Sequence, residues 1–148
     1  MAINQKTFME EGLKARIDNY YAPQTIAFLI NDSGGVLTPS SDMAAVAGLE
    51  LPAGNGYTRQ AVTLPSASIV SGSAESTSDQ IIFQASGGNI PQFSHICFCV
   101  GGSTTVGSTT GKIDRIEPVN NGTPLSLNDG ESYIHQFTQT ESGNYVTS

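Results

Sequence analysis

Short apolar stretches, separated by turn-forming residues, constrain this sequence more than any other feature. Each stretch is bounded by Gly, Pro, Ser, Asn or Asp, the residues that most favour turns. The predicted strands cover residues 24–31, 57–64, 67–71, 79–84, 93–100, 112–117, 123–127 and 132–139. This spacing predicts an all-β fold, an antiparallel β-sandwich of jelly-roll or immunoglobulin-like type.

The composition agrees with a β-rich chain of ordinary domain size. Only 13% of the 148 residues are charged, 38% are hydrophobic, and 16 are glycine. A chain of this length buries roughly 70% of its unfolded surface, and its hydrophobic content argues against wholesale disorder. We expect two parts, an N-terminal helical arm at residues 1–22 and a β-sandwich domain at residues 23–148.

One amphipathic helix is predicted ahead of the strands, at residues 8–20. Thr7-Phe8-Met9-Glu10 has the form of a capping box, and Pro23 ends the helical pattern. The apolar stripe of this helix consists of Met9, Leu13, Ile17 and Tyr20. The stripe either packs on the protein's own sheets or docks on a neighbouring subunit, so its residues are candidates for a partner interface.

Two long connections are candidate interaction loops. Residues 31–55 exceed the usual loop length, which predicts a binding loop or a partly structured segment, with one helical turn at 43–47. Residues 101–111 consist almost entirely of Gly, Ser and Thr. A tract of this composition has little to bury, so we expect it to be mobile.

A Gly-Asn-Gly turn at residues 54–56 leads into the strand at 57–64, and Arg59 is the residue of interest there. Arg59 is the only cation between residues 17 and 111 and has small and apolar neighbours. A buried arginine needs a carboxylate or several carbonyls, because an unpaired buried charge is very costly. The alternatives are a salt bridge within the fold and a contact across a subunit interface.

His95, Cys97 and Cys99 alternate along one strand and therefore share a face. Three such positions span about 13 Å along a strand, whereas zinc donors lie about 2–2.3 Å from the ion. We therefore expect two buried thiols that act as small hydrophobic groups, with no metal and no disulfide between them. The predicted structural core comprises Phe28, Val62, Phe83, Ile96, Phe98, Cys97 and Cys99.

No pattern indicates a catalytic site or a cofactor. The sequence has no Gly-x-Ser-x-Gly elbow. Asp129-Gly130 is typical of a hairpin turn, and the surrounding segment lacks the alternating acids of a calcium loop. We expect no enzymatic activity.

Charge distribution and hydropathy each argue against one class of partner. The net charge is −7, and beyond residue 20 the only basic residues are Arg59, Lys112 and Arg115. Nucleic-acid binding needs clustered Lys and Arg, so we expect no nucleic-acid partner.

The first twenty residues lack the apolar core of a signal peptide, and no run approaches a membrane span. We expect synthesis in a cytoplasm and no membrane partner.

The run from Gly54 to Leu64 resembles the Gly-Gly-Gly-Tyr-Ala-Arg-Gln-Ala-Val-Thr-Phe core of a family of small tailed-phage virion proteins, often labelled tail fibre or decoration proteins. Apolar stretches at 25–30, 81–85 and 93–98 are similar to strands of that family, and residues 129–132 are similar to a turn near its end. The resemblance implies a virion structural protein.

Small size and acidity favour one role within a virion, that of a capsid cement or decoration protein that stabilises the assembled shell. Its expected partners are the major capsid protein and further copies of itself, as a homotrimer. Its expected location is the virion, after synthesis in the host cytoplasm. The alternative is a receptor-binding module associated with a tail or fibre, and a glycan hydrolase ranks third.

Overall fold

The computed structural model describes residues 9–21 and 23–142 of the chain. The helices are α1 (Glu10–Tyr20) and α2 (Met43–Ala47), with a 3-10 turn at Asn120–Gly122. The strands are β1 (Thr25–Ile30), β2 (Gln60–Val62), β3 (Ser68–Val70), β4 (Ser73–Thr77), β5 (Ile81–Gln84), β6 (Ile90–Phe93), β7 (His95–Val100), β8 (Lys112–Pro118), β9 (Leu125–Leu127), β10 (Ser132–His135) and β11 (Thr138–Ser142). All strand pairs in the described residues are antiparallel. The predicted all-β antiparallel fold with an N-terminal helix is confirmed.

Strand boundaries differ from the prediction in three places. The predicted strand at 132–139 is two strands, β10 and β11, which pair with different partners. Strand β4 was not predicted, because its sequence Ser-Ala-Glu-Ser-Thr contains a single apolar residue. Strand β6 was not predicted either, since Pro91 and Gln92 interrupt its apolar pattern.

Contacts group the described residues into two compact units. The first unit draws on the ranges 1–23, 63–79 and 136–148, and the second on the ranges 24–62 and 80–135. Helix α1 therefore belongs to a unit that also contains strands from the middle and the end of the chain. The predicted arm at 1–22 and sandwich at 23–148 stay a prediction.

The first unit is a three-stranded sheet, in the order β11-β4-β3, with α1 packed on it. Leu13 and Ile17 of the helix are 0% and 1% exposed and pack against Ala67 and Ala74. A carboxylate oxygen of Asp18 accepts a hydrogen bond of 2.9 Å from the amide of Ala67. The helix therefore packs on its own chain.

This packing corrects part of the predicted partner interface. Leu13 and Ile17 are covered within the chain and cannot contact a partner, whereas Met9 and Tyr20 are 60% and 50% exposed. The helix begins at Glu10, and its N-cap Met9 makes no side-chain capping bond. Thr7, half of the predicted capping box, lies outside the described residues.

The main sheet of the second unit has the order β2-β1-β7-β8. Register places Phe28 opposite Cys97 and Ile26 opposite Cys99, so these side chains form one apolar face. Helix α2, whose N-cap Asp42 accepts a bond of 2.9 Å from the amide of Ala45, covers that face. The predicted helical turn at 43–47 and the two buried thiols are both confirmed.

The opposite face of the main sheet also packs inside the second unit. The Phe98 ring centre of β7 lies 5.6 Å from that of His135 on β10, and on the preceding strand β6 the Phe93 ring centre lies 5.5 Å from that of Tyr133. Strand β10 pairs with β5, and β6 pairs with β9. The jelly-roll or immunoglobulin-like topology stays a prediction.

Six of the seven predicted core residues are buried and one is not. Each of the six is at most 1% exposed, and they are Phe28, Phe83, Ile96, Cys97, Phe98 and Cys99. Val62 is only half-buried. It lies on β2, a three-residue strand at the edge of the main sheet, which has a neighbouring strand on one side only.

The two predicted turns have different outcomes. Asn55 and Gly56 have φ of 51° and 84°, and the amide of Tyr57 bonds to the Gly54 carbonyl, which defines a type I′ turn. A side chain at Gly56 would clash with the backbone carbonyl of Gln84. Residues 128–131 also form a turn, but it joins β9 to β10, which do not pair. The predicted hairpin at Asp129-Gly130 is therefore wrong.

Candidate functional site

A buried ion pair between Arg59 and Glu50 is the centre of the candidate site. Arg59 Nη2 lies 2.6 Å from Glu50 Oε1, and Arg59 Nε lies 3.0 Å from Glu50 Oε2. The two side chains are 0% and 2% exposed, and the guanidinium lies 4.5 Å from the centre of the Phe28 ring. The predicted salt bridge within the fold is confirmed, so Arg59 is not a surface residue for a partner.

Glu50 is held in place by the edge of the main sheet. It forms an isolated antiparallel bridge with Ile30, flanked by backbone bonds from Leu51 to Leu29 and from Asn31 to Leu49. These bonds continue the β2 side of strand β1 beyond the end of β2. The backbone on both sides of Glu50 is therefore held by bonds that do not involve its carboxylate.

Tyr57 is the third member of the site. Its hydroxyl donates to Glu50 Oε2 at 2.7 Å and accepts from the Leu29 amide at 3.1 Å, while its ring stacks on Phe83. Burial, followed by the Glu50 carboxylate, raises the pKa of Tyr57 well above its ordinary value. Burial alone would lower the pKa of Arg59, but the hydrogen bond and charge of Glu50 raise it overall.

The ion pair also anchors the tract at 101–111. Arg59 donates to the carbonyls of Ser103 and Ser108 at 3.1 and 2.9 Å, and the amide of Gly107 donates to Glu50 Oε1 at 2.7 Å. Composition alone predicts that this tract has little to bury and is mobile. The structure instead gives it three hydrogen bonds to a buried charge pair.

The long connection at 31–55 is structured by its own side chains as well. Carboxylate oxygens of Asp32 accept from the amides of Val36 and Leu37 at 2.8 and 3.3 Å, which closes a compact turn. Val36 lies on this turn and is 65% exposed. A groove of about 400 Å³ separates the start of α2 from the end of the 101–111 tract. Both long loops are thus held in defined shapes within one unit.

A second polar cluster lies on the other face of the main sheet. Arg115 Nε is 3.2 Å from Glu117 Oε2, and His135 Nε2 is 3.5 Å from the same oxygen. The Tyr133 hydroxyl lies 3.3 Å from His135 Nδ1, and the Arg115 guanidinium lies 4.7 Å from the Phe98 ring centre. The sequence alone does not reveal this cluster, because the cluster joins side chains of separate strands, β8 and β10.

The chemistry of this second cluster does not favour catalysis by Tyr133. A hydroxyl, an imidazole and a carboxylate follow one another, as in a nucleophile activated by a base. Burial, followed by the charge of Glu117, raises the pKa of Tyr133. A raised pKa disfavours the phenolate, which is the form that would attack a substrate.

The face shared by His95, Cys97 and Cys99 has no metal-like geometry in the described residues. His95 Nδ1 shares a hydrogen bond of 2.7 Å with Ser94 Oγ. Burial raises the pKa of Cys97 and of Cys99, which favours thiols over the thiolates that bind metals. Within residues 9–21 and 23–142, no group of three or more His, Cys, Asp or Glu is placed to hold a metal ion.

Comparison with known proteins finds no matching family model, no matching curated protein and no matching solved structure. Neither described helix has the length and apolar character that crossing a membrane requires.

Proposed function

We propose that this chain is a structural protein of a tailed-phage virion, a capsid cement protein that binds the assembled shell. The observation that carries the proposal is the buried Glu50–Arg59 pair, in which Glu50 belongs to the 31–55 connection and the pair holds the 101–111 tract through three hydrogen bonds. Loops fixed in advance lose little conformational entropy on binding, which favours attachment to a protein surface. The resemblance to virion proteins supplies the class of partner.

The residues of that resemblance have structural roles here. Gly56 makes the type I′ turn, and Tyr57 and Arg59 contact Glu50, which lies nine residues before Arg59 in the sequence. A run that builds a scaffold in this way is consistent with a shared fold. Recognition of the capsid then falls to the loops at 31–55 and 101–111, and to the exposed helix residues Met9 and Tyr20.

The proposed mechanism is stabilisation by mass action. A protein that binds only the assembled shell favours that shell by RT ln(1 + [L]/Kd) for each occupied site. The net charge of −7 suits an outer surface that faces away from packaged DNA. The major capsid protein and further copies of this chain, in a proposed trimer, are its partners.

Copy number in purified virions tests the proposal. Densitometry or quantitative mass spectrometry should give a count comparable with that of the major capsid protein. Recombinant protein added to particles that lack it should also raise the temperature at which the shells release DNA. A handful of copies per particle would contradict the cement role and place the protein on the tail.

A receptor-binding module on a tail or fibre is the second candidate. The tract at 101–111, held by the ion pair, has the exposed position that receptor binding requires. Glycan recognition usually relies on aromatic rings, and the sequences 31–55 and 101–111 contain no Phe, Tyr or Trp. A glycan array with the recombinant protein separates the two roles, since cement protein should bind no glycan.

A further inference from the structure

Strand β8 forms one edge of the main sheet. In the described part of the chain its one neighbouring strand is β7, and β8 is seven residues long. An edge strand presents backbone amides and carbonyls to which another strand can add. The opposite edge of the same sheet, β2, is only three residues long. The β8 edge is therefore where this sheet is best extended by a further strand.

Strand β8 contains a bulge, one residue more than the matching part of β7. Ile113 lies opposite Cys99, whereas Arg115 lies opposite Phe98, so Asp114 is the additional residue. In a regular strand, residues an odd number of positions apart face opposite sides of the sheet. Across this bulge, residues an odd number of positions apart face the same side.

The bulge gives β8 two pairs of side chains that share a face. Ile113 and Ile116 are three residues apart, and both pack against the core on the α2 face. Lys112 and Glu117 are five residues apart, and both lie on the opposite face, because their partners on β7 are four residues apart. Each pair can therefore come together when a second copy of β8 runs antiparallel to the first.

Residues 112–117 are self-complementary in such a pairing, because their sequence is Lys-Ile-Asp-Arg-Ile-Glu. A two-fold axis between positions 114 and 115 sets each basic residue opposite an acidic one and each isoleucine opposite an isoleucine. Opposite charges at facing positions stabilise paired strands, and like charges destabilise them. A register shifted by one residue would instead set Arg115 or Asp114 opposite itself. The pairs between the two copies are Lys112 with Glu117, Ile113 with Ile116, and Asp114 with Arg115.

This complementarity identifies the occupant of the edge as a second copy of the chain. Charges on an edge strand normally discourage pairing, and a strand without the matching charges would meet four unmatched ones here. Residues 112–117 carry two basic and two acidic groups, so their net charge is zero in a chain of net charge −7. Two copies can therefore meet along β8 without the repulsion expected between acidic surfaces.

We propose that β8 pairs antiparallel with β8 of a second copy and joins the two four-stranded main sheets across a two-fold dimer interface. The bulge at Asp114 is part of this interface, since it brings the matching side chains to the same face. A contact of this kind joins copies in pairs, in addition to any contact that builds the proposed trimer. It does not depend on attachment to a capsid.

Sedimentation velocity of the full-length protein over a wide concentration range tests the inference. The wild type should form a dimer that dissociates on dilution. Lys112→Glu places two like-charge pairs in the interface, as does Glu117→Lys, and each should raise the dissociation constant by more than about tenfold. Lys14→Glu in α1 is the matched control, because it makes the same change of charge outside β8, and it should leave the constant unchanged.

Mixing the two β8 variants gives the sharpest test. Each variant is mismatched with itself, but the Lys112→Glu and Glu117→Lys chains are complementary to each other. An equimolar mixture should therefore form a dimer at a concentration where each variant alone is monomeric. Circular dichroism and the thermal midpoint establish that each variant is folded. If Glu117→Lys does not fold, the comparison of Lys112→Glu with Lys14→Glu makes the same test.

Three results would overturn the inference. They are a wild type that is monomeric at every concentration, a Lys112→Glu dimer as tight as that of the wild type, and a mixture of folded variants that forms no dimer. Capsid binding by a monomeric wild type would overturn this inference alone and leave the cement role standing.

Discussion

Two arginine–glutamate pairs lie on opposite faces of the main sheet, and the difference between them explains what each does. Both guanidinium groups lie over a phenylalanine, Arg59 at 4.5 Å from the Phe28 ring centre and Arg115 at 4.7 Å from that of Phe98. The Arg59 pair is 0% and 2% exposed, whereas the Arg115 pair is 28% and 38% exposed.

Burial decides the role of each pair. A partly exposed pair is screened by water and contributes little to stability. A buried pair must be fully satisfied, because either charge left alone in the interior is very costly. The Glu50 carboxylate accepts from Arg59, Tyr57 and Gly107, and that requirement fixes the loop positions.

The largest effect is expected for Glu50→Ala. This change leaves the Arg59 guanidinium buried without its carboxylate and should lower the free energy of unfolding by about 3–5 kcal/mol. Urea denaturation followed by circular dichroism measures the change. A loss below about 1 kcal/mol would show that the buried pair behaves like a surface pair.

Removing both charges together should cost less than the two single changes added. In Glu50→Leu with Arg59→Met, no buried charge is left unpaired, although the bonds to Ser103, Ser108 and Gly107 are lost. A double-mutant cycle should give a coupling energy of about 0.5–3 kcal/mol. Strict additivity would contradict a direct interaction.

Alkaline pH should destabilise the protein through its buried acidic groups. The pKa values of Cys97, Cys99 and Tyr57 are raised above their ordinary values, which are 9.0 for cysteine and 10.0 for tyrosine. The folded state therefore keeps these protons at a pH where the unfolded state has lost them. Stability is therefore full below about pH 9 and falls as the pH rises above it. Thermal midpoints between pH 7 and 11 measure this fall.

Single substitutions show how much of the loss of stability at alkaline pH comes from each cluster. Tyr57→Phe should remove more of the loss above pH 10 than Tyr133→Phe, because Glu50 and deep burial act on Tyr57. Equal slopes for the two variants would indicate that the clusters have similar electrostatic environments.

The smallest effect is expected for Glu117→Gln. The Arg115 and Glu117 side chains are 28% and 38% exposed, so the change should cost about 0–1 kcal/mol and less at high salt. Urea denaturation at low and high salt measures it. A loss as large as that of Glu50→Ala would remove the distinction between the two pairs.

Local sequence rules predicted the elements that satisfy them. The stripe of Leu13 and Ile17, the turn at 54–56 and the shared face of Cys97 and Cys99 all follow from periodicity and turn chemistry, and the structure has each of them. The need of Arg59 for an internal partner followed from the cost of a buried charge. These arguments use only residues close in sequence.

Contacts between distant segments were not predictable in this way. Glu50 lies in a loop, and its single sequence signal is an acid between Leu49 and Leu51 in an otherwise apolar stretch. Its bond to Gly107 depends on tertiary structure. Strand β4 forms because its neighbours β3 and β11 pair with it, although its own sequence has little strand pattern.

Amide exchange at Gly107, followed by NMR, tests most directly whether the buried ion pair holds the loops. We compare wild type with Glu50→Gln, which removes the charge and retains an acceptor, and with Glu117→Gln as the control. Protection across 101–111 should fall in Glu50→Gln, while the β1 and β7 amides stay protected and Glu117→Gln matches wild type. Unchanged protection at Gly107 in Glu50→Gln would contradict the account.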